Sequence, residues 1–369
     1  MPVKWIWMAA LVLSAWPGQA AAQPDAVVEQ IPSLVEACRV RGPVTFCGEP
    51  VPINEPDVRE RMEIELLVNL WNRAQVILWI KRAGRYFAHF ERSLQEAGLP
   101  DDLKYLAVAE SSLKPAVSSN KGAVGLWQFI ESTGQRYGLT VDGGLDQRRD
   151  LMAATPAALR YLKDLYGMFG SWALAAAAYN MGENGLKNQI QLQQTRDYYN
   201  LYLPEETQRY IFRILAVKLI LSDPKRYGFE LNAEDIYPPL LYDQVQLDLG
   251  RDVAVLSIAR AAGTYYKTIR DLNPQIRSPH LARGTHTLLL PPGAAQGFHR
   301  RLKEEMDTDT PADQASATAG RQVVTVQPGD SLAAIARRFN TTPAQLAAWN
   351  GLKVNSPIHP GQRLVATAP

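Results

Sequence analysis

The stretch LAVAESSLKPAVSSNKGAVGLWQF, Leu106 to Phe129, decides the fold. An apolar run ends on one carboxylate, Glu110, followed by two serines. A loop of Gly, Ser and Asn comes next, then an aromatic segment with a single amide, Gln128. Leu103, Leu106, Ala107 and Glu110 recur at helical spacing, so they share one face. The carboxylate therefore points with the apolar side chains. Burial disfavours its charged form and should raise its pKa. A carboxylic acid kept protonated near neutral pH is what a general acid for glycosidic cleavage needs. The same position also suits a buried glutamate paired with an arginine or with backbone donors.

The neighbourhood bears on that choice. Ser111 and Ser112 can hydrogen-bond a carboxylate, and Gly122 and Gly125 let backbone approach a ligand closely. Trp127, Gln128 and Phe129 combine flat faces with an amide, which suits sugar rings and N-acetyl groups. ALAAAAYN, Ala173 to Asn180, reads as a small-residue helix that packs closely and presents Tyr179 and Asn180 to the same cleft.

Outward from this core, 369 residues leave room for two or three domains. With 46% hydrophobic and 21% charged residues the composition is that of a soluble globular chain. A net charge of +2, without a basic run interleaved with aromatics, argues against nucleic acid as a partner. Residues 1–22 read as a secretory signal: Lys4, an apolar WIWMAALVLSAW and the small residues Ala20–Ala22 before Gln23. An N-terminal membrane anchor is the other reading, but an apolar core of about 12 residues is short against the roughly 20 a crossing helix needs. The mature chain has no later stretch long enough to span a membrane. An exported chain keeps disulfides, so Cys38 and Cys47 are expected to close a local bridge around Gly42-Pro43, the alternative being two free thiols. His89, His280 and His286 show no ligand spacing, so neither metal nor cofactor is expected.

Residues 23–56 are Pro-rich and read as an extended arm. Residues 57–235 read as mostly helical. Val58, Met62, Leu66, Val68 and Leu70 open that region, and a second run covers Val76–Ala97. AGLPDD breaks the second run, with Asp101 or Asp102 placed to cap the next helix. Further helices are expected at Pro156–Phe169, Trp172–Asn180 and Pro204–Leu221, with polar loops at 114–126 and 138–150. Residues 302–321 read as a linker. A repeat is visible: Ile258-Ala259-Arg260 recurs as Ile335-Ala336-Arg337, and Leu272-Asn273 aligns with Trp349-Asn350 at the same offset.

Glu110-Ser111, GLWQ at 125–128, AYN at 178–180 and ETQRYI at 206–211 occur in an order and spacing that resembles the lysozyme-like domain of lytic murein transglycosylases. GLP before the catalytic helix and LDQRRDLMAATPAALRYLKDLY between the motifs make it most similar to the membrane-bound D-type. The resemblance covers roughly residues 75–235 and implies a mainly α catalytic domain in a multidomain chain. It implies Glu110 as the single acid/base, with Ser111, Gly125, Trp127, Gln128, Tyr179, Asn180 and Tyr210 around the substrate. It also implies that no second carboxylate is required. The substrate's N-acetyl oxygen stabilises the sugar cation, and its C6 hydroxyl closes a 1,6-anhydro ring. Glu131, Asp142, Asp146, Asp150 and Glu183 then read as caps or surface charges. The sequence departs from the commoner family pattern at Trp127, Glu131 and AYNMGENGL.

The C-terminal segment reads βααβ, with Thr342, Pro343 and Gln345 forming a capping box. PGDSLAAIA, LAAWNGL and PGQRL within 322–366 resemble a LysM module, which implies N-acetylglucosamine binding in a groove. Gly329, Asp330, Ser331 and Leu332 would form one side of it, and Val354, Asn355, Ser356 and Pro357 the other. Residues 243–291, with LGRD for PGD, read as a degenerate LysM-like copy and spacer. The expected function is periplasmic cleavage of peptidoglycan glycan strands in a Gram-negative bacterium, with membrane association as a further option. A hydrolytic lysozyme and a non-catalytic wall-binding protein are the alternatives.

Overall fold

The computed structural model describes residues 32–308 and 323–366. The expected signal segment, residues 1–22, lies outside them. A short helix α1 (Leu34–Cys38) leads into a hairpin of β1 (Thr45–Phe46) and β2 (Glu49–Pro50). The catalytic region follows as α2 (Pro56–Trp71), α3 (Arg73–Ala97), α4 (Lys104–Ser111), α5 (Glu131–Arg136), α6 (Leu151–Phe169), α7 (Trp172–Met181), α8 (Glu183–Gln193) and α9 (Glu205–Ser222). No helix among the described residues is long and apolar enough to cross a membrane.

Local chemistry sets these boundaries. Pro56 starts α2, where its missing N–H costs nothing. Gly98 ends α3 in the left-handed region, and the amide of Leu99 bonds back to Leu94 O at 2.9 Å. Helix α6 begins at Leu151, ahead of the expected Pro156, because Asp150 accepts the amides of Met152 (2.8 Å) and Ala153 (3.3 Å) and Leu151 is buried. Helix α7 is buried along Trp172–Ala178 and packs against α6, α8 and α9. Its alanines let these helices approach the centre of the domain closely.

Several expectations need correcting. Residues 32–55 do not run out as an extended arm, since Val44, Phe46, Val51 and Ile53 are buried in the same core as the catalytic helices. Cys38 and Cys47 carry free thiols, so the expected disulfide is not formed. Cys38 is buried at the end of α1, whereas Cys47 sits in the hairpin turn with φ +53 and donates its amide to Asp102 at 2.7 Å. Each cysteine is thus held by its own element. Asp101 and Asp102 cap no helix through their side chains: Asp102 pins that turn and accepts from Lys218 at 2.7 Å, and Asp101 accepts from Lys104. Val68 is 50% exposed, while Val58, Met62, Leu66 and Leu70 form the buried stripe of α2.

The 243–291 region is itself βααβ. Its long strands β3 (Asp243–Leu249) and β6 (Gly284–Leu290) pair antiparallel, Asp243 opposite Leu290. Between them lie β4 (Val253–Ala254), α10 (Val255–Ala261), α11 (Tyr266–Leu272) and β5 (His280–Leu281), with β4 paired to β5. The module is joined to the 138–150 loop by backbone: Asp146 N donates to Gln275 O (2.8 Å) and Arg277 N to Gly144 O (2.7 Å). Helix α12 (Phe298–Thr308) packs on α10 through buried Phe298 and Leu302, so the first residues of the expected linker are helical. Residues 309–321 lie outside the described residues.

The C-terminal module has β7 (Val323–Thr325), α13 (Leu332–Arg338), α14 (Pro343–Trp349) and β8 (Arg363–Val365), with Val323 opposite Val365. The Thr342–Gln345 capping box forms as expected. The repeat is physical. Asn273 donates to Ile269 O (2.9 Å) and Leu289 O (2.7 Å) and accepts from Leu289 N (2.8 Å). Asn350 does the same with Leu346 O (2.7 Å), Val365 O (2.9 Å) and Val365 N (2.7 Å). In each module one asparagine ties the second helix to the closing strand.

Candidate active site

Glu110 lies in the last turn of α4, half-buried at the wall of a cleft of about 470 Å3. Gln128, Phe129, Tyr161, Tyr179 and Asn180 line the same cleft. Helix α9 faces Glu110 with Glu206, Tyr210 and Arg213, spaced to share one side of the helix. The Tyr210 hydroxyl donates to Glu110 Oε1. Burial pushes the Glu110 carboxyl up to about 7. The Tyr210 hydrogen bond and the Arg213 charge act the other way, and Glu206 adds to the rise. Desolvation wins because one hydrogen bond and one cation do not replace the water lost by a carboxylate. Near neutral pH the group is poised between acid and base.

Burial, then the charge of Glu110, push the Tyr179 and Tyr210 phenols well above their ordinary range. Both stay protonated as donors. Tyr179 gives its hydroxyl proton to Trp127 O at 2.6 Å, which fixes the GLWQ turn against α7. Asn180 Oδ1 accepts from Thr207 Oγ1 at 2.8 Å, which ties the end of α7 to α9. Gln128 takes φ +48 and donates its amide to Gly125 O at 2.8 Å.

Three residues of the expected substrate set do other work. Trp127 is 0% exposed; it meets Phe90 edge-on at 5.2 Å and donates Nε1–H to Thr155 Oγ1 at 3.1 Å. It packs beneath the cleft and offers no face to a sugar. Ser111 is 4% exposed, donates to Ala107 O (2.9 Å) and accepts from Leu113 N (3.1 Å), so it closes the helix end and does not orient Glu110. Gly125, at φ +87, admits the chain's own backbone: a Cβ there would stand 1.8 Å from Arg148 O.

Other cleft residues were given no site role by the sequence reading. Tyr161, from the middle of α6, stands 5.2 Å from Tyr179 and 5.0 Å from Tyr137, ring to ring, and extends the aromatic wall. Glu183, expected as a cap or surface charge, lines the cleft. It accepts from Arg136 (2.6 Å) and Tyr161 (3.0 Å). Burial, the largest single influence, pushes its carboxyl up, but the Arg136 bond, its own backbone amide, the Tyr161 bond and the Arg136 charge together outweigh it and the net shift is downward. Lys121 bonds Glu206 at 2.9 Å and holds that carboxyl below its usual range. Local spacing says nothing of partners brought to these groups from other elements.

In the C-terminal module Gly329 takes φ +91 and Ser331 caps α13 by accepting from Ala334 N at 3.1 Å. Asp330 accepts from Gln327 N at 2.9 Å, and Ser356 accepts from Lys353 N at 2.9 Å in the loop that holds Asn355. Leu332 is buried in the module core, so its side chain is not open to a ligand as expected.

A helical domain with a half-buried glutamate, Glu110, at an aromatic cleft, followed by two βααβ modules, defines a lysozyme-like enzyme with appended LysM modules. Residues 87–202 match the Transglycosylase SLT domain, and residues 257–286 and 324–367 match the LysM domain. The chain is 31% identical over 335 residues to the membrane-bound lytic murein transglycosylase D of Escherichia coli (strain K12), spanning 88% of this chain and 72% of that one. It belongs to the membrane-bound lytic murein transglycosylase D family. A putative tributyltin chloride resistance protein of Alteromonas sp. (strain M-1) is 32% identical over 110 residues, 29% of this chain and 53% of that one. Among solved structures, the 70 kDa soluble lytic transglycosylase Slt70 of Escherichia coli overlaps 49% of this chain and 33% of its own, at 20% identity and a TM-score of 0.35.

Proposed function

We propose that the chain is an exported lytic transglycosylase that cuts the N-acetylmuramic acid–β-1,4–N-acetylglucosamine bond of murein in the periplasm and leaves a 1,6-anhydro end. The observation that carries this reading is a single carboxyl, Glu110, held near pKa 7 by burial at the wall of a sugar-sized cleft. As an acid, Glu110 gives its proton to the bridging oxygen as the C1–O bond breaks. The substrate's own N-acetyl oxygen stabilises the positive charge at C1. The resulting carboxylate then takes the proton of the C6 hydroxyl, whose oxygen bonds to C1. Glu110 ends protonated again, and no water is consumed. An internal nucleophile carries a large effective concentration, so the site needs no bound water. Gln128, whose amide nitrogen donates to Gly125 O and Val117 O, would offer its carbonyl oxygen to the substrate's N–H groups.

Hydrolysis is favoured by one observation: ionised Glu183 and Glu206 line the same cleft and could activate water. Each is committed to a cation, which lowers its basicity. Mass spectrometry of products from purified murein separates the readings, because the anhydro end is lighter than the hydrolytic end by one water. Predominantly hydrated ends would overturn the transglycosylase reading. For the C-terminal module we propose glycan binding along the loops of Gly329–Ser331 and Asn355–Ser356. Deleting residues 322–369 should weaken pulldown by insoluble murein more than it lowers activity on short soluble glycans; equal pulldown would count against it.

A further inference from the structure

A second cavity, of about 640 Å3, lies between the helical domain and the 243–291 module. Six cations face it: Arg82 and Arg85 of α3, Lys114, Arg149, and Arg270 and Arg277 of the module. The one acid on its wall, Asp271, is already paired with Lys267. The arginines are aimed by neutral groups. Arg82 donates to Ser112 O (3.0 Å), Arg149 to Ala116 O (2.7 Å) and Ser118 Oγ (3.1 Å), and Arg270 to Ser278 O (3.2 Å). Arg85 lies over the Tyr237 ring at 5.1 Å. Among the described residues no carboxylate pairs with Lys114 or Arg277. Arg149 has only Asp146 at 3.6 Å, and that carboxylate is bound more closely by Arg148 at 2.8 Å. The positive charge is thus oriented but not neutralised, an arrangement that costs free energy until an anion enters.

The wall between the cations is partly apolar, with the half-buried Pro115, Leu240 and Leu272. Arginine forks match carboxylates bidentately, and apolar surface between them suits short aliphatic side chains. The volume falls in the range of sites that enclose a short peptide. The groove is also coupled to the cleft by chain connectivity. Leu113 follows Glu110 by three residues, a reach of at most roughly 10 Å, and Leu126 precedes Gln128 by two. One loop therefore walls both cavities.

We infer that this groove binds a short peptide bearing several carboxylates, the acidic side branch of the polymer whose glycan chain is cut next door. The source of the peptide rests on the reading under Proposed function; its chemistry rests on the groove. Murein carries such peptides on the sugar adjoining the bond cut. A strand seated in the cleft would thus bring a side branch to the 243–291 module, which acts as one wall of a composite site and not as a spacer.

The test is fluorescence anisotropy on the full chain. The probe is a labelled synthetic peptide of glutamate and alanine with free carboxylates, compared with its fully amidated twin. The variant is Lys114→Ser with Arg277→Ser, two exposed side chains whose loss breaks no ion pair among the described residues. The charged peptide should bind at least about tenfold more tightly than the twin, and the variant should lose at least about tenfold for the charged peptide alone. Equal binding by the twin, or by the variant, overturns the inference. So does displacement of the peptide by equimolar inorganic phosphate, which would make the groove a general anion site. The readout involves no bond cleavage. Peptide binding with only hydrated product ends would overturn the proposed reaction and keep the groove; anhydro ends without peptide binding would do the reverse.

Discussion

The hydroxyl of Tyr210 donates its proton to Oε1 of Glu110, across the gap between α9 and the last turn of α4. This bond favours the carboxylate, while burial favours the acid, and burial is the larger cause. The balance leaves Glu110 near 7, where one group can serve first as acid and then as base.

Glu110→Gln should lower kcat by roughly 10²–10⁴-fold, as loss of a general acid does. It should also change stability with pH. The folded-state pKa lies above the unfolded one, so the native chain binds the extra proton between the ordinary carboxylate range and about 7. Wild-type stability from this group is therefore present at low pH and lost as pH rises through about 7. The glutamine variant lacks that loss. Thermal unfolding should show it more stable than wild type above pH 7, the gap closing below about pH 4. A gap that does not vary with pH would reject the buried acid.

Tyr210→Phe removes the interaction that lowers the Glu110 pKa. The alkaline limb of kcat/KM, set in the wild type by a group near 7, should move upward, with kcat about tenfold lower from lost positioning. A pH–rate profile with an unmoved limb would show that the bond does not tune the acid.

Gly125→Ala should destabilise the domain by more than about 2 kcal/mol, since the added methyl meets Arg148 O and the left-handed backbone is strained. Trp127→Ala should cost about 3–5 kcal/mol through the cavity it opens. Trp127→Phe should keep the affinity for a soluble glycan fragment, measured by calorimetry. A large loss of affinity in the phenylalanine variant would mean that Trp127 touches sugar.

Asn273→Ala and Asn350→Ala should each destabilise their own module by about 1–3 kcal/mol, because each leaves buried strand groups unpaired. Hydrogen exchange should speed at Leu289 in the first variant and at Val365 in the second, and not in the other module.

Much of this molecule was legible in its residues because the signals are local. Gly98 stops α3, Thr342 and Gln345 cap α14, and Glu110 falls on the apolar side of α4 within one turn of its neighbours. The ordered motifs around Glu110, Gln128, Tyr179 and Tyr210 identified the domain, and the recurrence of Ile-Ala-Arg marked the repeat. Local spacing cannot report what a side chain meets from a distant helix. Tertiary structure alone decided that Trp127 turns inward onto Phe90 and that Gly125 makes room for Arg148. It also decided that Cys38 and Cys47 stay apart in separate elements, and that Glu183 joins the cleft through Arg136 and Tyr161. The value near 7 at Glu110 is likewise tertiary, because it sums a desolvation set by packing with charges carried on α9. So the apolar face of α4 singled out Glu110 as the candidate acid, and the helices folded around it determine how strongly it holds its proton.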